Sequence, residues 1–161
     1  MLKSVKIALV VSLMALASAC STTQEATKVA SVDATAPSSY DPINDPKSSV
    51  YGKRSVYFDF DKYSIKSEYQ SVITAHADYL KANKDKKANI LVQGNTDERG
   101  TTEYNLALGQ RRSEAVKKAL TLLGVDPAQI ESVSFGKEKP KSEGHDEAAW
   151  KENRRADIVY K

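Results

Sequence analysis

Between residues 51 and 161 the spacing of apolar positions changes repeatedly. Ser55-Val56-Tyr57-Phe58-Asp59-Phe60 alternates, with Val56, Phe58 and Phe60 on one side and Tyr57 and Asp59 on the other, as in a half-buried strand. Ile65, Tyr69, Val72, Ile73, His76 and Leu80 recur at three- and four-residue steps, which predicts an amphipathic helix from about Lys66 to Asn83. Asn89 to Gly94 reads as a second strand. Tyr104, Leu108, Ala115, Val116, Ala119, Leu120 and Leu123 then mark a long second helix that stops at Gly124. Asp126-Pro127 opens a short helical turn. Ser132 to Phe135 reads as a strand, Asp146 to Asn153 as a short helix, and Ala156 to Tyr160 as the last strand. The order β-α-β-α-β-(α)-β predicts a two-layer α/β (α+β) sandwich with a mixed sheet and helices on one face. Strands separated by helices require at least one parallel pairing.

The first fifty residues show no such periods. Met1 to Lys6 is short and positive, Ile7 to Ala17 is apolar, and Ser18-Ala19 are small residues before Cys20. That is the order of a bacterial export signal, with residues 1–19 as the removed leader. The apolar run is shorter than the roughly 20 residues a spanning helix needs. Leu16-Ala17-Ser18-Ala19-Cys20 resembles a lipobox, in which the thiol receives a diacylglycerol and becomes the mature N-terminus. It departs from that pattern by placing leucine one position early. A lone free thiol is a liability in an oxidising compartment, so lipidation of Cys20 explains it better than chance. Ser21, where aspartate would signal inner-membrane retention, favours anchoring in the outer membrane. Residues 20–50 are rich in Ser, Thr, Ala, Pro and Asp, and read as a flexible tether with a mean span of roughly 30 Å. Residues 41–50 are the part of it best suited to pack on the domain at 51–161.

The chain carries 24 Lys+Arg against 21 Asp+Glu. Loss of Lys3 and Lys6 with the leader leaves 22 against 21. That balance excludes nucleic-acid binding by bulk charge, which needs a basic stripe. One cysteine and two histidines exclude an internal disulfide and the usual thiolate or histidine metal clusters. No motif for a cofactor is present. Nor is there a nucleophile elbow, an H-E-x-x-H run or a phosphate loop, so the chain does not read as an enzyme.

The best candidate for chemistry is Gly94-Asn95-Thr96-Asp97-Glu98-Arg99-Gly100, which leads from the second strand toward the long helix. Its bracketing glycines allow close approach of backbone N–H groups to a ligand. Arg111-Arg112 lies further along that helix, and a helix folded back over the sheet brings one of these arginines toward the loop. An aspartate and an arginine held apart at one surface suit a zwitterion, the carboxylate taking an ammonium and the guanidinium a carboxylate. Composition alone is equally consistent with a structural ion pair between loop and helix. Among the other polar residues, His76 falls in the apolar stripe of the first helix and reads as packed or rim. His145 leads into a helix capped by Asp146. Asp59 and Asp61 read as structural or capping residues, and Tyr57, Phe58, Tyr63 and Tyr104 suggest an aromatic rim, with core packing the simplest role for Phe58. Asn153-Arg154-Arg155 reads as a charged helix end with solvated side chains.

Several runs together carry a family resemblance: Val56-Tyr57-Phe58-Asp59-Phe60-Asp61, Thr96-Asp97-Glu98-Arg99-Gly100-Thr101, Glu103-Tyr104-Asn105, Gly136-Lys137-Glu138-Lys139-Pro140, Gly144 to Ala149 and Asn153-Arg154-Arg155-Ala156. In these the chain resembles the peptidoglycan-associated lipoproteins of the OmpA-like peptidoglycan-binding domain family. The spacing Asn105, Leu108, Arg112, Val116 matches the family's wider helix signature. Asn95, Gly109 and Ser113 depart from common family residues. The resemblance implies a non-catalytic domain that binds the peptide stem of peptidoglycan through meso-diaminopimelate. By position, Asp97 takes the ammonium and Arg112 a carboxylate. Asn105, Leu108 and the loop residues Thr96, Glu98, Arg99 and Thr101 complete the pocket, with Phe58 and Asp59 on its rim. The resemblance also implies partnership with the periplasmic protein TolB and other Tol proteins, in the Tol–Pal system of outer-membrane constriction at division.

Overall fold

A computed structural model describes residues 40–84 and 88–161. The expected leader, Cys20 and the tether as far as residue 39 lie outside the described residues.

Among the described residues four strands and three helices alternate: β1 (Ser55–Tyr57), α1 (Gln70–Ala82), β2 (Ile90–Asn95), α2 (Thr102–Leu122), β3 (Ile130–Gly136), α3 (Glu147–Asn153) and β4 (Arg155–Tyr160). Single 3-10 turns at Ser67–Tyr69 and Pro127–Gln129 lead into α1 and β3. The sheet order is β1-β4-β2-β3, with β2 parallel to β3 and both other pairings antiparallel. The mixed sheet follows from the connections, because α2 carries the chain back over the sheet between β2 and β3.

One face of the sheet is the core. Val56, Ile90, Val92, Ala156, Ile158 and Tyr160 are buried there with Ile73, Ala77 and Leu80 of α1 and Val116 and Leu120 of α2. Ile43 and Val50, from the last part of the segment read as tether, are buried in the same cluster. His76 is fully buried within the α1 stripe. One of its ring nitrogens lies 2.6 Å from the Lys53 carbonyl and the other 2.9 Å from the Tyr160 hydroxyl.

The first strand is shorter than its alternation predicts. Val56 and Phe58 are buried as expected, but Phe60 is 57% exposed. After Phe58 the backbone leaves the sheet: the Phe58 carbonyl accepts from Arg154 Nε at 3.2 Å and the Asp59 carbonyl from Arg112 Nη2 at 3.1 Å. Two buried guanidinium groups thus take carbonyls that a longer strand would have paired, and the chain turns at Asp61, where φ is 56°.

Candidate functional site

The C-terminal end of β2 and the second turn of α2 meet closely because Gly94 and Gly109 lack side chains, and this approach carries Arg112, on the next turn of α2, to the end of β2. Thr101 caps α2, its side chain accepting from the Tyr104 N–H at 3.2 Å. The intervening loop is tied inward by Asn105, whose Nδ2 donates to the Arg99 carbonyl at 2.9 Å.

Arg112 is fully buried. Its Nε donates to the Lys62 carbonyl at 2.9 Å, Nη1 to the Asn95 carbonyl at 2.8 Å and Nη2 to the Asp59 carbonyl at 3.1 Å. All of these acceptors are neutral. A guanidinium has five N–H groups, so one on each Nη remains available. Burial pushes the Arg112 pKa down to about 10, which leaves it cationic at neutral pH. The Phe58 ring centroid lies 5.2 Å from the guanidinium carbon.

Asp97 is 4% exposed. It accepts from the Arg99 backbone N–H at 3.2 Å and from Arg99 Nη2 at 2.7 Å, and Arg154 Nη1 approaches at 3.4 Å. Burial acts to raise its carboxyl, but the hydrogen bonds and charge of Arg99 outweigh that and hold it below the usual carboxylate range. Arg99 is itself clasped between rings, its guanidinium carbon 4.2 Å from the Phe60 centroid and 4.0 Å from that of Trp150.

Asp97 and Arg112 line one open cleft of about 200 Å³, together with Thr96, Arg99, Asn105 and Leu108. Phe60, Asp61, Gly100 and Tyr104 complete its wall. Thr96 Oγ1 is buried without a hydrogen-bond partner, a polar atom that a ligand in the cleft can satisfy.

Other expected site residues lie elsewhere. Phe58 packs in the core beneath Arg112, and the aromatics at the rim are Phe60 and Tyr104. Asp59 gives its backbone carbonyl to Arg112, while its exposed carboxylate lies 3.6 Å from Lys66. Thr101 serves as the helix cap. Glu98 faces a neighbouring surface, accepting from Trp150 Nε1 at 2.8 Å and lying 2.8 Å from His145 Nδ1. The reading of residues 153–155 as solvated is overturned: Asn153, Arg154 and Arg155 are all buried. Arg154 reaches back to the Phe58 carbonyl, Asp97 and Glu147, the last at 2.5 Å. A run of polar residues at a helix end gave no local sign of this, because two of the Arg154 acceptors, Phe58 and Asp97, come from distant segments.

A four-stranded mixed sheet under a helical layer, with an acid and a base in one cleft at a strand end, defines the class. Residues 57–154 match the OmpA family, and the chain belongs to that family. It is 55% identical over 105 residues to the peptidoglycan-associated lipoprotein of Pasteurella multocida, spanning 65% of this chain and 69% of that one. It is 57% identical over 105 residues to the protein of the same name from Haemophilus influenzae, spanning 65% and 67%. The crystal structure of the peptidoglycan-associated lipoprotein from Burkholderia pseudomallei superposes with a TM-score of 0.70 at 63% identity, covering 75% of this chain and 100% of that one. The C-terminal domain of Helicobacter pylori MotB shares the fold, with a TM-score of 0.61 at 22% identity over 67% of this chain and 83% of that one.

Proposed function

We propose that this protein is an outer-membrane lipoprotein, anchored through Cys20, whose periplasmic domain binds the peptide stem of peptidoglycan without covalent linkage and without catalysis. The observation that carries this reading is Arg112: a buried cation with only neutral acceptors, at an open cleft, with N–H groups to spare. A carboxylate is the partner such a group lacks, and a bidentate guanidinium–carboxylate contact fixes orientation as well as charge. The acidic side of the cleft, where family position places Asp97, takes the ammonium. A side chain ending in both groups, as in meso-diaminopimelate, matches both ends. The high identity to peptidoglycan-associated lipoproteins supports the same ligand.

Each charge-assisted hydrogen bond contributes about 1.5–3 kcal/mol, so a few of them, less the cost of ordering the stem, give modest affinity for a soluble peptide. A membrane-anchored domain facing a polymer with many identical stems gains from effective concentration, so weak sites hold the layers together while single contacts exchange. Partnership with TolB and other Tol proteins, in envelope integrity and cell division, belongs to this reading through the family resemblance.

The test is co-sedimentation with purified sacculi. Arg112→Gln and Asp97→Asn are expected to abolish it, with circular dichroism and thermal unfolding reporting the fold of each variant. Folded variants that sediment like the wild type would refute the cleft as the binding site. Tight TolB binding without saturable response to a stem peptide would favour a tethered protein-interaction module instead.

A further inference from the structure

The second face of the sheet carries a charged groove of its own. Ser55 and Tyr57 in β1, and Arg155 and Asp157 in β4, alternate with the core residues Val56, Ala156 and Ile158 and so point away from the helices. With Arg54 and Lys141 they line an open groove of about 430 Å³. Three cations thus share it with one carboxylate. Both Asp157 oxygens are occupied, Oδ1 accepting from Ser55 Oγ at 2.6 Å and Oδ2 from Arg155 Nε at 2.9 Å. The carboxylates that pair with Arg54 and Lys141 are Asp41 at 2.7 Å and Glu152 at 2.6 Å, and neither belongs to the groove wall.

Arg155 shows what the groove lacks. Its side chain is 8% exposed. Nε goes to Asp157 and Nη2 to the Lys139 carbonyl at 3.3 Å, but Nη1 is buried with no hydrogen-bond partner. A desolvated cationic N–H without an acceptor is costly, and in a native structure it calls for a ligand, ion or water that completes it. Among the described residues Arg54 uses Nη2 alone, toward Asp41, although a guanidinium has five N–H groups. Lys141 gives two of its three to Tyr57 and Glu152. The spare donors around the groove are therefore all cationic.

We propose that this groove is an oxyanion site for a phosphate group, free or on a lipid headgroup, held by Arg155 and Arg54 and completed by Lys141. Donors from three segments match the several oxygens of a tetrahedral phosphate, whereas one guanidinium fork satisfies a carboxylate. Arg54 is tied to Asp41, and the segment before Asp41 leads to Cys20, so under the proposed anchoring headgroup phosphates lie within reach of the tether. The groove shares no residue with the cleft that holds Arg112, and the inference stands apart from the wall-binding reading.

The experiment uses the full chain with Cys20→Ser, which removes any acyl anchor. NMR follows the Arg155 Nε–H and the backbone amides of Ser55–Tyr57 during titration with inorganic phosphate at constant ionic strength, so that screening does not change. Two or three charge-assisted contacts, less the ordering cost, set the expected midpoint at roughly millimolar phosphate. Arg54→Gln and Lys141→Gln, at half-exposed side chains, are each expected to raise that midpoint roughly tenfold, at unchanged melting temperature and unchanged co-sedimentation with sacculi. Lys141→Arg, which keeps the charge, is expected to retain the wild-type midpoint. Flotation with phosphatidylcholine vesicles, with and without phosphatidic acid, separates the two sources. Capture only by phosphatidic acid, lost in the Arg54→Gln/Lys141→Gln double variant, assigns a lipid headgroup; saturable phosphate binding without capture assigns a free phosphate. The absence of a saturable shift, or one midpoint shared by the wild type and both glutamine variants, overturns the site while wall binding stands. Failure of the Cys20→Ser chain to sediment with sacculi overturns the wall-binding reading and leaves this site untouched.

Discussion

Gly94 in β2 and Gly109 in α2 meet backbone to backbone: a Cβ atom on Gly94 would lie 1.8 Å from the Gly109 carbonyl oxygen. No rotamer change relieves an overlap with a main-chain atom, so the helix must lift from the sheet. Gly94→Ala is expected to cost about 3 kcal/mol or more, read as a fall in melting temperature of roughly 10 °C. Because Arg112 sits one turn beyond Gly109, any folded fraction should also bind sacculi poorly. An alanine variant with wild-type stability would show that this contact is looser than the geometry states.

Arg154 is buried between the Phe58 carbonyl, Asp97 and Glu147. Removing one partner of a buried ion pair leaves the other desolvated, at a cost of about 3–5 kcal/mol. Arg154→Met, which keeps the bulk, is expected to fall in or near this range in urea unfolding, cushioned by the Arg99 contacts that Asp97 retains. A change below 1 kcal/mol would mean that the group behaves as a surface charge.

His76 makes the fold sensitive to acid. Burial pushes its pKa down to about 4, against an ordinary value of 6.5. The Lys53 carbonyl can only accept, so Nε2 carries the proton and Nδ1 accepts from the Tyr160 hydroxyl, whose own pKa burial raises. Between those two pH values the unfolded chain binds a proton that the folded chain does not. Stability therefore rises with pH across that window and is lost as pH falls from about 6.5 toward about 4. The loss is about 3 kcal/mol for this one group. Chemical denaturation at stepped pH should show this slope in the wild type and a flatter one in His76→Gln.

His145 titrates in the opposite direction. Its hydrogen bond and charge contact with Glu98 raise its pKa, while Trp150 and then His145 lower that of Glu98. The contact between the two loops is complete below the ordinary histidine pKa and weakens as pH rises through the raised value. Proton NMR should find His145 titrating above an exposed histidine, and Glu98→Gln should return it to the ordinary value.

Membrane attachment is tested at Cys20. Under the proposed anchoring through Cys20, in which each buried methylene of an acyl chain contributes about 0.8 kcal/mol, Cys20→Ser is expected to move the protein from the membrane fraction to the soluble fraction. Retention in the membrane fraction would show that something else holds it there.

The local elements were legible in the residues because helix and strand periods are near-neighbour properties. The stripe Ile73, His76, Leu80 and the strand core of Ile90 and Val92 lie where their spacing put them, and Gly124 and Asp146 end and begin helices as their types require. The loop 94–100 and an arginine in α2 stood out as candidates in the residues, and folding brings Thr96, Asp97, Arg99 and Arg112 to one cleft.

Tertiary structure decided which charges are free. Residues 153–155 looked solvated, and burial emerged only when segments far apart in the chain supplied acceptors for Arg154 and Arg155. Phe58 and Phe60 share a strand period, yet one is core and the other rim, because two guanidinium groups claim the carbonyls of Phe58 and Asp59 and end the strand early. Asp97 and Asp61 are both acids near turns; only contacts made on folding bury one against Arg99 and Arg154 and leave the other exposed. Periodicity is fixed by covalent neighbours and survives without a fold. Compensation of charge depends on distances between residues tens of positions apart, which the chain acquires only on folding.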